Sequence, residues 1–197
     1  MDAPGLYLIA PDDPDPDSLV RRIAPVFDAT EVSALRLDLR QTDGTPHRIA
    51  DAVREAAHAR DIPVVVCDDL ALAEKTGLDG VHLTGVQGVA DARDALGSDA
   101  IVGAFASMSR HDGMSAGEIG ADYVSFGPAD VANPELIGLV KWWSEMIEVP
   151  VVVEGGLDSE QLRDLAPYAD FVALGPEIWS TDEPVAALTE LLAAMRS

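Results

Sequence analysis

Cysteine occurs once in the 197 residues, at Cys67, and lysine twice, at Lys75 and Lys141. A single thiol cannot pair within the chain, so a disulfide framework is excluded and a reducing compartment is favoured. Both lysines lie in segments of helical patterning rather than at the end of a strand-like run, which leaves aldolase-type imine chemistry without a candidate. Long apolar runs are also missing. None approaches the roughly 18 residues that a membrane span requires, and the opening "MDAPGLYLIAPDDPDPD" has no basic stretch of the kind that begins a signal peptide. The expectation is a cytoplasmic protein with no membrane partner. Positive charge is scarce: 13 bases face 35 acids, a formal charge of −22. Such a surface repels phosphate backbones over any long approach, so nucleic acid is not an expected partner.

What the chain does contain is a succession of short, strongly apolar stretches. "PVVVCDD" (63–69), "AIVGAFA" (100–106), "YVSFGP" (123–128) and "PVVVEGG" (150–156) are near-continuously apolar, as strands covered on both faces are. "SALRLDLRQ" (33–41) instead alternates, with Leu35, Leu37 and Leu39 on one side and Arg36, Asp38 and Arg40 on the other.

Helix-like segments separate these runs throughout. Thr45 and Pro46 suit a helix start before "HRIADAVREAAHAR", and Leu188, Leu191, Leu192 and Met195 recur at the spacing of one buried helical face. Eight strand–helix pairs in about 200 residues predict a single domain over 1–197, an α/β fold closed as a (β/α)8 TIM barrel. The GxGxxG fingerprint of a dinucleotide fold is absent after the first strand. In a barrel the three leucines pack under helices, and Arg36, Asp38 and Arg40 face the lumen, where a carboxylate needs a partner.

Barrel enzymes work at the C-terminal ends of the strands, often with a phosphate held by the loops after strands seven and eight. Those loops read "EGGLDSEQL" (154–162) and "ALGPEIW" (173–179). Gly155, Gly156, Gly175 and Ile178 are the candidate phosphate contacts, made through backbone N–H groups, and Asp158 with Gln161 can form a capping box. His82, in the middle of "VHL", reads as a hydrogen-bonded barrel histidine; His47 and His58 read as surface residues of a helix. Trp142 and Trp143 read as lying at a helix–barrel seam.

"LYLIAPDD", "VVVCDDLALAEKTGLDGVHLTG", "GADYVSFGP" and "VPVVVEGGLDSEQL", in this order, resemble the thiamine phosphate synthase and TenI family over nearly the whole chain. The resemblance implies a barrel of thiamine biosynthesis that joins a pyrimidine pyrophosphate to a thiazole phosphate. It implies Mg2+ beside the leaving pyrophosphate, a small phosphorylated ligand as partner, and leaves room for a homo-oligomer. Carried over position by position, it makes Arg36 and Asp68 the candidate catalytic residues and Asp68 the metal ligand, with Gly127, Gly155, Gly156, Gly175 and Ile178 binding substrate.

The departures bear on activity. Where the synthases carry Gln-x-Arg-x-Lys, this chain has Ala34, Arg36 and Asp38; the Asn-Asp pair reads Cys67-Asp68; the second metal carboxylate falls near Gln87; and the Gly-x-Ser reads Gly103-Ala104-Phe105. The Thr- and Lys-bearing loop after "GP" is "ADVANPE" (129–135). Two further functions stay open: a phosphate-ester-binding relative without catalysis, and a TenI-like thiazole isomerase with His111 as acid or base, although His111 is displaced from the family's histidine position.

Overall fold

The computed structural model describes residues 3–42, 44–128 and 134–196. Eight parallel strands close into one barrel in sequence order: β1 (Gly5–Ile9), β2 (Ala34–Leu37), β3 (Val64–Cys67), β4 (Gly80–Leu83), β5 (Ile101–Phe105), β6 (Tyr123–Phe126), β7 (Val151–Glu154) and β8 (Phe171–Leu174). The intervening helices are α1 (Pro16–Ala29), α2 (Pro46–His58), α3 (Leu70–Thr76), α4 (Val89–Leu96), α5 (Arg110–Glu118), α6 (Pro134–Met146) and α7 (Ser159–Leu165); β8 is followed by a short α8 (Pro176–Trp179) and then α9 (Pro184–Ala194). No helix among the described residues is long and apolar enough to cross a membrane.

The expected helices form, with adjusted ends. Thr45 stands at the N-cap of α2 and Pro46 opens it, yet the Thr45 side chain makes no cap hydrogen bond. The predicted capping box is present in α7, where Asp158 accepts from backbone N–H groups and Gln161 accepts in return from the Asp158 N–H. α8 was not foreseen, since four residues are too few to show a period. Its Pro176 needs no N–H partner at the first helical position.

Two apolar clusters follow from the alternation of side chains along each strand. The larger lies between strands and helices and contains Leu35 and Leu37, with Leu39 packed at its edge. The smaller fills the lower lumen with Tyr7, Val65, Tyr123, Val152 and Ala173. Gly103 makes room for the Tyr123 ring: a Cβ there would lie 1.9 Å from Cζ of Tyr123. Trp143 is buried at the helix–barrel seam, its ring edge-on to Phe126 and its Nε1–H donating to the Val149 carbonyl at 2.7 Å. Trp142 sits partly exposed beneath the Arg110 guanidinium, 4.6 Å from its ring centre.

At the N-terminal face one device recurs. Asp79, Asp122 and Asp170 each precede an even-numbered strand, and each accepts from the N–H that begins or nearly begins the strand before it: Val64 at 2.7 Å, Val102 at 2.7 Å and Val151 at 2.8 Å. These carboxylates satisfy strand N–H groups at the end remote from the chemistry, where barrel residues serve stability.

Candidate functional site at the strand C-terminal ends

Arg36 enters the lumen from β2, as its alternation with Leu35 and Leu37 predicts. Its partner is not Asp38. Arg36 Nη1 lies 2.6 Å from Glu154 Oε2, across the barrel on β7, and both side chains are nearly buried, at 13% and 10% exposure. Ser125 Oγ donates to the other Glu154 oxygen at 3.2 Å. The ion pair is close but poorly aligned: Arg36 Nε and Glu154 Oε2 make no well-oriented hydrogen bond.

Arg36 Nη1 also lies 2.8 Å from His82 Nε2, and His82 Nδ1 lies 2.9 Å from the Tyr123 hydroxyl, itself 2.6 Å from that of Tyr7. A guanidinium has only donors, so Nε2 must accept and the imidazole proton resides on Nδ1. His82 is thereby held neutral. Burial, reinforced by the field of Arg36 and Arg40, lowers its pKa well below the ordinary histidine value. Burial likewise raises the Tyr7 and Tyr123 phenols and pushes the Cys67 thiol up to about 12, so none of the three is an acid or nucleophile near neutrality. Burial opposes the Arg36 charge, but the Glu154 carboxylate and surrounding groups outweigh it and raise the guanidinium's pKa. The reading of His82 as a hydrogen-bonded barrel histidine holds.

Asp38 and Arg40 lie beyond the end of β2, at the mouth rather than in the lumen. Asp38 is 36% exposed and takes a two-pronged contact from Arg40, Nε to Oδ1 at 2.8 Å and Nη2 to Oδ2 at 2.5 Å. That hydrogen bonding holds the Asp38 carboxyl below its usual range. The expected inward placement of all three charges is therefore corrected to Arg36 alone: β2 ends at Leu37, and Asp38 and Arg40 follow it with well-exposed side chains.

Asp68 follows β3 with φ of 51°, a left-handed conformation uncommon for a residue with a side chain. Its Oδ1 accepts from the Thr84 N–H at 2.9 Å, and its Oδ2 from the Thr84 hydroxyl at 2.6 Å and Arg40 Nη1 at 3.2 Å. Both oxygens are engaged. Gln87, on a short 3-10 turn at Val86–Gly88, supplies no second carboxylate, and among the described residues no three His, Cys, Asp or Glu side chains converge in a metal-type group. Among the described residues, the side chains around Asp68 do not supply the several anionic oxygens that a hard cation such as Mg2+ wants.

In the loops after β7 and β8, the backbone N–H groups of Gly156, Leu157 and Gly175 converge on one carboxylate of the chain itself. Glu177 Oε1 accepts from the Gly156 N–H at 2.8 Å and the Leu157 N–H at 3.2 Å, and Oε2 accepts from the Gly175 N–H at 2.8 Å. Gly155 and Gly156 adopt φ of 88° and 75°, a double left-handed turn that other residues resist. Ile178 does not join these donors: its N–H bonds the Gly175 carbonyl at 3.0 Å and its side chain is fully buried. Nor does Gly127 offer a donor. Its N–H bonds the Ser107 carbonyl at 3.2 Å, and a Cβ there would lie 2.2 Å from the Glu154 carbonyl oxygen, so its role is close packing of β6 against β7. His111 lies at the surface, 89% exposed and paired only loosely with its neighbour Asp112 at 3.3 Å. The alternative reading of His111 as an acid or base thus concerns an exposed residue in the first turn of α5. Positions 129–133 of the loop "ADVANPE" lie outside the described residues.

A family model described as thiamine monophosphate synthase matches residues 6–178. The chain belongs to the thiamine monophosphate synthase family. It is 37% identical to a thiamine-phosphate synthase of Rhodospirillum centenum, with 97% of each chain covered, and 39% identical to one of Erythrobacter litoralis over 75% of each. Among solved structures, a thiamine phosphate pyrophosphorylase from Pyrococcus furiosus superposes with a TM-score of 0.80 at 20% identity, covering 98% of this chain and 95% of that one. An orotidine 5'-phosphate decarboxylase from Pyrococcus horikoshii gives 0.73 at 16%, covering 98% and 100%. These two likenesses establish the barrel. The family relationship makes the chain thiamine phosphate synthase-like, a protein of the thiamine-biosynthesis type.

The residues missed in sequence were Glu154, Ser125, Tyr7, Tyr123 and Glu177. Parity could have found the first four: Glu154 alternates with Val153 and shares its face with Val152, and Tyr123 and Ser125 share theirs. Glu177 left no periodic signal.

Proposed function

We propose that this chain is a divergent thiamine phosphate synthase-type barrel that receives a small ligand of the thiamine pathway at its mouth but forms thiamine phosphate very slowly or not at all. One observation carries the reading: Arg36, the cation that the family resemblance assigns to the pyrophosphate, is already paired with Glu154 at 2.6 Å. Departure of pyrophosphate concentrates negative charge, and an enzyme that speeds it must offer positive charge not otherwise engaged. Here the lysine position is Asp38, the second arginine is held by Asp38 and Asp68, and Asp68 has both oxygens occupied. Losing even one well-placed donor costs roughly 100-fold or more in rate.

The test is an assay of the purified protein with pyrimidine pyrophosphate, thiazole phosphate and Mg2+, following thiamine phosphate. The expected rate is near that of the uncatalysed reaction. Rapid formation that is lost on Arg36→Ala would overturn the proposal, since it would mean that Glu154 yields the guanidinium to the substrate.

A further inference from the structure

We propose that the outer edge of the α5–α6 pair is the docking surface for a second copy of this chain, joined about a two-fold axis that passes beside Met114. The surface lies on the outside of the barrel, and the inference goes beyond the reading of the mouth.

Close packing of the two helices makes what they leave exposed a single surface. Gly113 and Gly117 set α5 down on α6 and the turn after it: a Cβ on Gly113 would lie 2.8 Å from Cζ3 of Trp143, and one on Gly117 3.0 Å from Cγ2 of Val149. On the outer side of this seam the Arg110 guanidinium covers the Trp142 ring at 4.6 Å. One turn further along each helix stand Met114, 40% exposed, and Met146, 64% exposed. Residues four apart share a helical face, so Arg110 with Met114 and Trp142 with Met146 edge the same seam. Among the described residues the only other exposed large apolar side chain is Ile119, at the α5 C-cap. Exposed apolar surface is therefore concentrated on this pair of helices rather than scattered, as it is at contact sites.

The charges beside the methionines identify the occupant. Arg110, Met114 and Glu118 are all exposed and follow one another at intervals of four, forming one ridge of α5 that is basic at its start and acidic at its end. This order opposes the helix dipole, which favours acids in the first turn and bases in the last, so the helix alone gives no reason for it. A two-fold axis beside Met114 supplies one. In such an isologous contact the two ridges run antiparallel, Arg110 faces Glu118 of the partner subunit at both ends, and the methionines of both copies pack between them. Flexible methionine side chains suit that contact. A partner of uniformly basic or uniformly acidic surface would match only one end of the ridge. The formal charge of −22 sets two copies against each other at long range. In about 0.15 M salt that repulsion is screened beyond roughly 8 Å, and the complementary charges at the contact fix its orientation.

Sedimentation equilibrium of the intact protein over a dilution series, in about 0.15 M salt, tests the proposal. The expected result is a monomer–dimer equilibrium. Met114→Lys and Met146→Lys should each weaken it roughly tenfold or more, by placing an ammonium in the apolar centre of the contact. Arg110→Glu and Glu118→Arg should each weaken it by setting like charges face to face, and the variant carrying both should regain affinity toward that of the native chain. Both reversals agree with the helix dipole, so neither weakens α5 through it. Glu190→Ala, which removes one exposed charge on α9, should leave the equilibrium unchanged. Circular dichroism and the melting temperature report on folding; if a lysine variant is unfolded, the charge-reversal set decides. A native chain that stays monomeric throughout would overturn the proposal. So would a dimer indifferent to the Met114 and Met146 changes, or charge reversals whose losses add instead of cancelling. The readout is mass and not turnover, so the outcome is independent of the synthase assay.

Discussion

Arg36 Nη1 on β2 and Glu154 Oε2 on β7 meet at 2.6 Å across the barrel, just beneath the mouth. The two strands are far apart in sequence and are not neighbours in the sheet. The pair joins them through the lumen, above the apolar layer that Val65, Val152 and the two tyrosines fill.

Breaking this pair from one side should be costly. Glu154→Ala leaves Arg36 charged in a nearly buried place, and the expected loss of stability is about 3–5 kcal/mol. Because the ion pair is poorly aligned, with Arg36 Nε and Glu154 Oε2 lacking oriented partners, replacing both ends by Arg36→Met with Glu154→Leu should cost much less than either single change. Urea unfolding of the four proteins gives the coupling directly. Additive losses would show that the two charges do not depend on one another.

Stability should decline on mild acidification, through His82. Its pKa is lowered in the folded chain by burial and the nearby arginines, while in the unfolded chain it titrates near about 6.5. Between those values the unfolded state binds the extra proton, so stability rises with pH. The contribution is complete above about 6.5 and is lost as pH falls toward the folded value, with a limiting slope of about 1.4 kcal/mol per pH unit. Unfolding measured from pH 7.5 to pH 5 should show this slope, and His82→Asn should flatten it. A level profile for the native protein would contradict the buried, neutral imidazole.

Asp38→Ala should have a small effect. A lumen-facing Asp38 would be indispensable, but the observed side chain is 36% exposed and its partner Arg40 is 45% exposed. Solvent screens such a pair, and the expected change is about 1 kcal/mol or less. A loss of several kcal/mol in chemical denaturation would mean that the Asp38–Arg40–Asp68 chain supports the barrel mouth in a way that exposure does not convey.

The amino-acid order alone determined the barrel, the strand faces and the cover of the core, because those depend on period: Leu35 and Leu37 repeat at two, Leu188 and Leu191 at three, and a strand or helix turns such repeats into faces without knowledge of the rest of the chain. It also determined that Arg36 points inward, since parity along β2 specifies it. What only the tertiary structure decided is which charges meet. Glu154 lies 118 positions from Arg36, and no local pattern encodes a contact made across a lumen between non-neighbouring strands. Likewise Glu177 looks like an ordinary polar residue of a short helix until the fold brings the Gly156 and Leu157 N–H groups to its carboxylate. Hydrophobic periodicity is a property of neighbours along the chain, whereas an ion pair or a carboxylate's set of donors is a property of distances in space, and those are set only when the barrel closes.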